Sequence, residues 1–203
     1  MPLDLKKKFG AILSHEQSLA RSVAAAVIRS KPLSVWEVLI PIIFILMFMK
    51  SREEREVFVQ NLMFTKKMAL EAAYKKIQDQ CSVEEVMAPI EEQTLELVTT
   101  APNGIYSELI RREQLAEIRL LIDHYGRLLK SQGEDFQTLT TRAYPTFSSY
   151  VRFLEQLEAA EARVTAAASQ TLGPRTDSRT LAGIESAINA MRSKEAEEIY
   201  ASG

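Results

Sequence analysis

A single cysteine, Cys81, in 203 residues leaves no disulfide within the chain, so packing alone must hold the fold, and a reducing cytosol suits it. Glycine and proline are scarce, seven of each, and no long alternation of apolar and polar residues occurs. The marks of strands and hairpins are therefore missing, and the regular three- and four-residue spacing of apolar positions predicts an all-α protein. Positive charge is not in excess: the formal net charge is −2, which excludes a globally basic nucleic-acid binder. There is no phosphate-cradling glycine loop, no dinucleotide fingerprint and no G-x-S-x-G elbow. No A-x-A-like cleavage site follows an early apolar run, so no secretory signal is expected.

What the chain does have is one very apolar block, PLSVWEVLIPIIFILMFM, residues 32–49. Lys31 fences one side, and Lys50, Arg52 and Arg55 fence the other. Apolar residues with basic flanks and a Trp near one edge mark a bilayer-inserted segment. The residues expected to touch lipid are Leu33, Trp36, Val38, Leu39, Ile40, Pro41, Ile42, Ile43, Phe44, Ile45, Leu46, Met47, Phe48 and Met49. Lys31, Lys50 and Arg52 are placed at headgroup level.

A single transmembrane span is the first reading of this block, and a one-leaflet anchor is its rival. Leu33–Met49 would reach about 25 Å as a straight helix, short of a hydrocarbon core of about 30 Å. Glu37 near its start suits headgroup depth, and leaves a fully apolar run of only Val38–Met49. Pro41 disfavours an unbroken helix. Charge bias does not orient a span, since Lys6, Lys7, Lys8, Arg21, Arg29 and Lys31 precede the block and Lys50, Arg52, Arg55, Lys66 and Lys67 follow it. Basic flanks on both sides fit a one-leaflet wedge or in-plane anchor, with both ends on an anionic cytoplasmic surface. A helix buried at the centre of a bundle or a subunit interface is the soluble alternative.

Four segments follow: a basic amphipathic helix over 1–31, the apolar block over 32–50, a helical bundle over 51–173, and a C-terminal helix and tail over 174–203. In the first, Leu5, Phe9, Ile12, Leu19, Val23 and Val27 form a stripe that could lie in a lipid interface or pack on its own bundle. In the third, helix stripes run through Val59, Leu62, Met63, Leu70, Tyr74 and Ile77, then Val83, Val86, Met87, Ile90, Leu97 and Val98. Ser82 and Glu85 form a capping box, and Pro89 should bend or end the helix it starts. The run Ala101-Pro102-Asn103-Gly104 reads as a turn. A long helix from Ile105 stops near Gln132-Gly133. A short one around Phe136 and Leu139 precedes another long one, which Gly173-Pro174 ends. Leu181, Ile184, Ile188 and Met191 mark the last helix, started by Asp177 or Ser178, which could dock, pair with a second subunit or fray. Four or five such helices make a bundle.

Chemistry is thin. His15 lacks a partner at zinc-helix spacing, and His124 lacks the Glu-x-x-His of di-metal bundles. Glu117, His124 and Arg127 read as a surface charge group. Glu84-Glu85 and Glu91-Glu92 read as solvated carboxylates. Acidic neighbours oppose a reactive Cys81 thiolate. Arg111, Arg112 and Arg119 interleave with Glu108, Glu113 and Glu117, a mixed solvated face that is no nucleic-acid surface. No catalytic residue, cofactor or metal ligand is expected. The partners expected are membrane lipid and a protein or second copy of the chain, and the expected role is an adaptor, scaffold or small subunit that holds a cytoplasmic helical bundle at a membrane. A helical enzyme or regulator, with a site scattered over several helices, is the alternative.

Overall fold

Helix signals written at short range become seven helices in the structure, a computed structural model that describes residues 2–27, 54–101, 104–173 and 178–201. They are α1 (Pro2–Val27), α2 (Glu54–Gln78), α3 (Val83–Thr100), α4 (Glu108–Lys130), α5 (Phe136–Ala143), α6 (Phe147–Leu172) and α7 (Ser178–Ala201). No strand occurs among the described residues. The fold is an all-α helical bundle.

Local chemistry explains most boundaries. Ser82 caps α3: its hydroxyl accepts from the Glu85 amide at 3.1 Å, while the Glu85 carboxylate accepts from the Ser82 amide at 2.7 Å. Thr146 caps α6 with a reciprocal box of the same kind, while the Ser107 and Asp135 side chains accept from the third amide of α4 and α5. α6 ends where Gly173 takes φ 58°, and α4 ends just before Gly133, whose φ is 149°. Pro89 does not end α3, which runs through it. Pro89 and Glu85, whose carbonyl the proline leaves without an amide donor, are both exposed, so water can satisfy that carbonyl.

α4 is the centre of the molecule, packing against α1, α2, α3, α5 and α6. It brings Ile118, Leu121, Ile122, Tyr125 and Leu128 to the main core, where Ile12 of α1, Leu70 of α2, Met87 of α3 and Leu139 of α5 are also fully buried. Each such aliphatic side chain contributes about 1.5–3 kcal/mol through burial. α1 therefore does not offer its apolar stripe to a lipid interface. Ile12 and Val23 of that stripe are buried, with Ala20 and Ala24 beside them, under α2 and its neighbours. α7 docks on the bundle through Leu181, Ile184, Ala196 and Ile199.

α1 and α2 run antiparallel. Phe9 meets Tyr74 edge-on at 5.3 Å, Glu16 pairs with Lys66, and Val23 and Ala24 share a cluster with Phe58 and Val59. The last residue of α1, Val27, packs on that same cluster, so α1 ends and α2 begins at one end of the bundle. No described helix is long and apolar enough to cross a membrane. The block at 32–49, with every lipid-contact residue expected from the sequence, and the flanking Lys31, Lys50 and Arg52, lies outside the described residues.

A buried charged centre and the cavity beside it

Polar residues placed on the apolar stripes of four long helices meet inside the bundle. From α1 comes Glu16, from α2 Lys66, from α4 Glu117, His124 and Tyr125, and from α7 Arg192, all of them buried. Glu16 is the hub. It pairs with Lys66 and accepts from the Tyr125 hydroxyl at 2.8 Å. Burial by itself would raise the Glu16 pKa, but the Lys66 charge and the two hydrogen bonds outweigh it and bring the value down to about 2. Burial, reinforced by the same carboxylate, drives the Tyr125 phenol well above its ordinary range.

Arg192 makes a two-pronged contact with Glu161 of α6, at 2.5 and 2.7 Å. Burial opposes its charge, but the carboxylate wins and keeps the guanidinium firmly protonated. Glu117 lies close to this pair and has no such clamp: none of the described residues forms a hydrogen bond or ion pair with its carboxyl. At 6 % exposure, burial raises its pKa, the neighbouring Glu161 raises it further, and Arg192 and Lys66 only partly offset this. The result is about 8, so the group holds its proton at neutral pH.

His124 corrects the sequence-based picture of a surface charge group. It is 3 % exposed, its Nδ1 lies 2.9 Å from the Tyr144 hydroxyl, and its ring stacks on Phe153 at 3.9 Å. Burial brings its pKa down to about 3, so the imidazole is neutral. Glu117 is also interior. Of that trio only Arg127 is at the surface, where it pairs with Asp123 at 2.8 Å. His15 is a structural histidine too, stacked on Phe136 at 3.4 Å and 3.1 Å from a Glu195 carboxylate oxygen.

The remaining candidates keep their structural roles. Arg119 pairs with Glu91 at 2.6 Å on a half-exposed face, Arg112 pairs with Glu113, and Arg111 bridges α4 to α3 through the Glu91 carbonyl and the Thr94 hydroxyl. Cys81 is a free, partly exposed thiol. Three cations counted in the flanks of the apolar block are already engaged: Lys66 with Glu16, Lys8 with Asp4 at 2.9 Å, and Lys67 with Glu71 at 3.8 Å. No group of His, Cys, Asp or Glu among the described residues is placed to hold a metal.

Against the charged centre lies a cavity of about 570 Å³ between α2, α4, α6 and α7. Its walls are apolar where Leu62, Val164 and Ile184 line it, and polar at Asn61, Lys66 and Glu117. Asn61 is 4 % exposed and its Oδ1 has no hydrogen-bond partner; Oε1 of Glu185, on the α7 wall, is buried and also unpartnered. Orphaned acceptors of this kind are uncommon in folded interiors, where each costs about 1–3 kcal/mol.

The centre had a visible signal in the sequence. Glu16 falls four residues after Ile12 and four before Ala20, and Glu117 falls between Ile110 and Leu121 on the α4 stripe. Charged residues in register with a buried stripe require buried partners. Which partners they find depends on helix packing. Comparison with protein-family models, with curated proteins and with solved structures gave no match to this chain.

Proposed function

We propose that this protein is a membrane-associated helical interaction protein, an adaptor, scaffold or small subunit, whose bundle stands wholly on one side of the bilayer and is attached through residues 32–49. The observation that carries this reading is the antiparallel packing of α1 and α2. The apolar block joins helix ends that share one end of one core, so a chain that leaves α1 for the membrane must return to the side it left before it can begin α2. A single crossing would put α1 and α2 on opposite faces and break the shared core at Ile12, Glu16, Lys66 and Leu70. Two crossings need about forty apolar residues, far more than the block holds. A wedge that enters and leaves one leaflet satisfies both the fold and the basic residues on each side of the block. The engagement of both histidines in packing, His15 on Phe136 and His124 on Phe153, supports an interaction role.

Vesicle experiments test this. In a Cys81→Ser background, Ser30→Cys and Ser51→Cys are introduced one at a time, and the full chain is reconstituted into sealed anionic vesicles. A membrane-impermeant maleimide added outside should label both cysteines to the same extent, and deletion of 32–49 should release the protein from the vesicles. Labelling of the two positions from opposite sides would refute the one-sided attachment, and a full chain that never co-sediments with vesicles would refute membrane association.

A further inference from the structure

We propose that the cavity between α2, α4, α6 and α7 binds a small organic cation, a protonated amine carried on an apolar body. The inference is independent of membrane attachment and rests on the cavity's unmatched chemistry. Two fully buried atoms on its wall have no partner, and both are acceptors: Oδ1 of Asn61, which is 96 % buried, and Oε1 of Glu185. Acceptors need N–H or O–H donors, and an ammonium group brings three donors and no acceptor.

Charge selects in the same direction. Glu158, Glu161 and Glu185 line the cavity beside the protonated Glu117, and Lys66 is the one Lys or Arg on its wall among the described residues. The Lys66 ammonium is already paired with Glu16, and the Arg192 guanidinium, next to the cavity, with Glu161. Carboxyl groups thus outnumber the cations that could answer them, and an anionic ligand would face uncompensated repulsion.

Size and apolarity separate an organic cation from a metal ion. About 570 Å³ falls within the range of small-molecule sites and is far more than a dehydrated metal needs. Leu62, Val164 and Ile184 offer hydrocarbon contact that only a ligand with an apolar body can use. Nor does any cluster of His, Cys, Asp and Glu among the described residues have metal-binding geometry.

Calorimetric titration of the full chain with hexylamine, 1-hexanol and hexanoate tests the proposal. The three share one tail and differ in head charge. Hexylamine should bind saturably at one site, with the alcohol and the carboxylate at least about tenfold weaker, the worth of one charge-assisted hydrogen bond. Asn61→Leu and Glu185→Gln should each weaken the amine about tenfold and affect the alcohol, whose single uncharged donor gains less from these acceptors, by a smaller factor. Asn61 is interior, so circular dichroism must show its variant folded. If it is not, Glu185→Gln, on the half-exposed wall, decides alone. Absence of saturable amine binding, equal binding of the alcohol, tighter binding of hexanoate, or amine binding indifferent to the folded variants would each overturn the proposal.

Discussion

Replacing Glu117 by glutamine should make the protein more stable, and by an amount that grows with pH. Glutamine keeps the shape of a protonated carboxylic acid and cannot ionise. In the native bundle the Glu117 pKa is about 8, raised from an ordinary 4.5 by burial and by the Glu161 charge. Between those two values the unfolded chain has released this proton and the folded chain still holds it. Stability therefore falls as pH rises through that window, by about 1.4 kcal/mol per pH unit. The advantage of Glu117→Gln over the parent should be about 1 kcal/mol near pH 5 and about 4 kcal/mol near pH 8. The parent should show a rounded profile because His124 works in the opposite sense. Its folded pKa of about 3 lies below the ordinary 6.5, so its contribution is complete above about pH 6.5 and is lost as pH falls toward 3. Glu16, at about 2 against 4.5, loses its contribution as pH falls through that lower range. Parent stability should thus be near level from about pH 4.5 to 6.5 and decline above it, while the variant should hold its stability to pH 8. Urea unfolding of both proteins at pH 5, 6, 7 and 8, followed by far-UV circular dichroism, measures the difference directly. A difference that does not change with pH, or a variant less stable than the parent at pH 8, would show that Glu117 is ionised in the fold and refute the reasoning.

The Glu16–Lys66 pair should be intolerant of single truncation. Lys66→Met leaves a buried, uncompensated carboxylate and should cost about 3–5 kcal/mol at pH 7, whereas the double variant Glu16→Gln/Lys66→Met should recover most of that loss; equal losses in urea unfolding would show that the two residues do not act as a pair. Glycines should divide by backbone conformation. A Cβ on Gly133, at φ 149°, would meet Thr138 Cγ2 at 2.8 Å, so Gly133→Ala should cost about 1–3 kcal/mol. Gly126, inside α4 with nothing within 4 Å of an added Cβ, should gain about 0.5–1 kcal/mol as alanine. Thermal melts of the two variants should move in opposite directions, and a shift of the same sign in both would refute the assignment.

Most of what is local in this fold can be read directly from the residues. The Ser82–Glu85 capping box, the stops at Gly133 and Gly173, and the separation of the short helix at Phe136 from the long one that follows are decided by neighbours a few residues apart, where capping bonds and backbone freedom act. All-α class follows from the same short-range periodicity, and so does the singular apolarity of 32–49. Pro89 marks where local rules run out: whether a proline ends a helix depends on whether water can reach the carbonyl it frees, and here that site is exposed. The fate of the α1 stripe was open in the same way, because a lipid interface and a bundle ask for the same amphipathic spacing.

Tertiary packing alone determined where the charges went. Glu16 and Lys66 are 50 residues apart, Glu16 and Tyr125 109, and Glu161 and Arg192 31. No short-range rule pairs them; they meet because burying the stripes of α1, α2, α4, α6 and α7 forces the polar residues on those stripes into one interior. The same packing pulled His124 and Glu117 away from the surface and left the Asn61 Oδ1 and Glu185 Oε1 acceptors unpartnered beside a cavity. It also set the antiparallel course of α1 and α2, and so brought the helix ends that flank the apolar block to one end of the bundle. Composition could only propose that block as a membrane segment; the shared core of its neighbours is what would require a membrane-bound chain to come back.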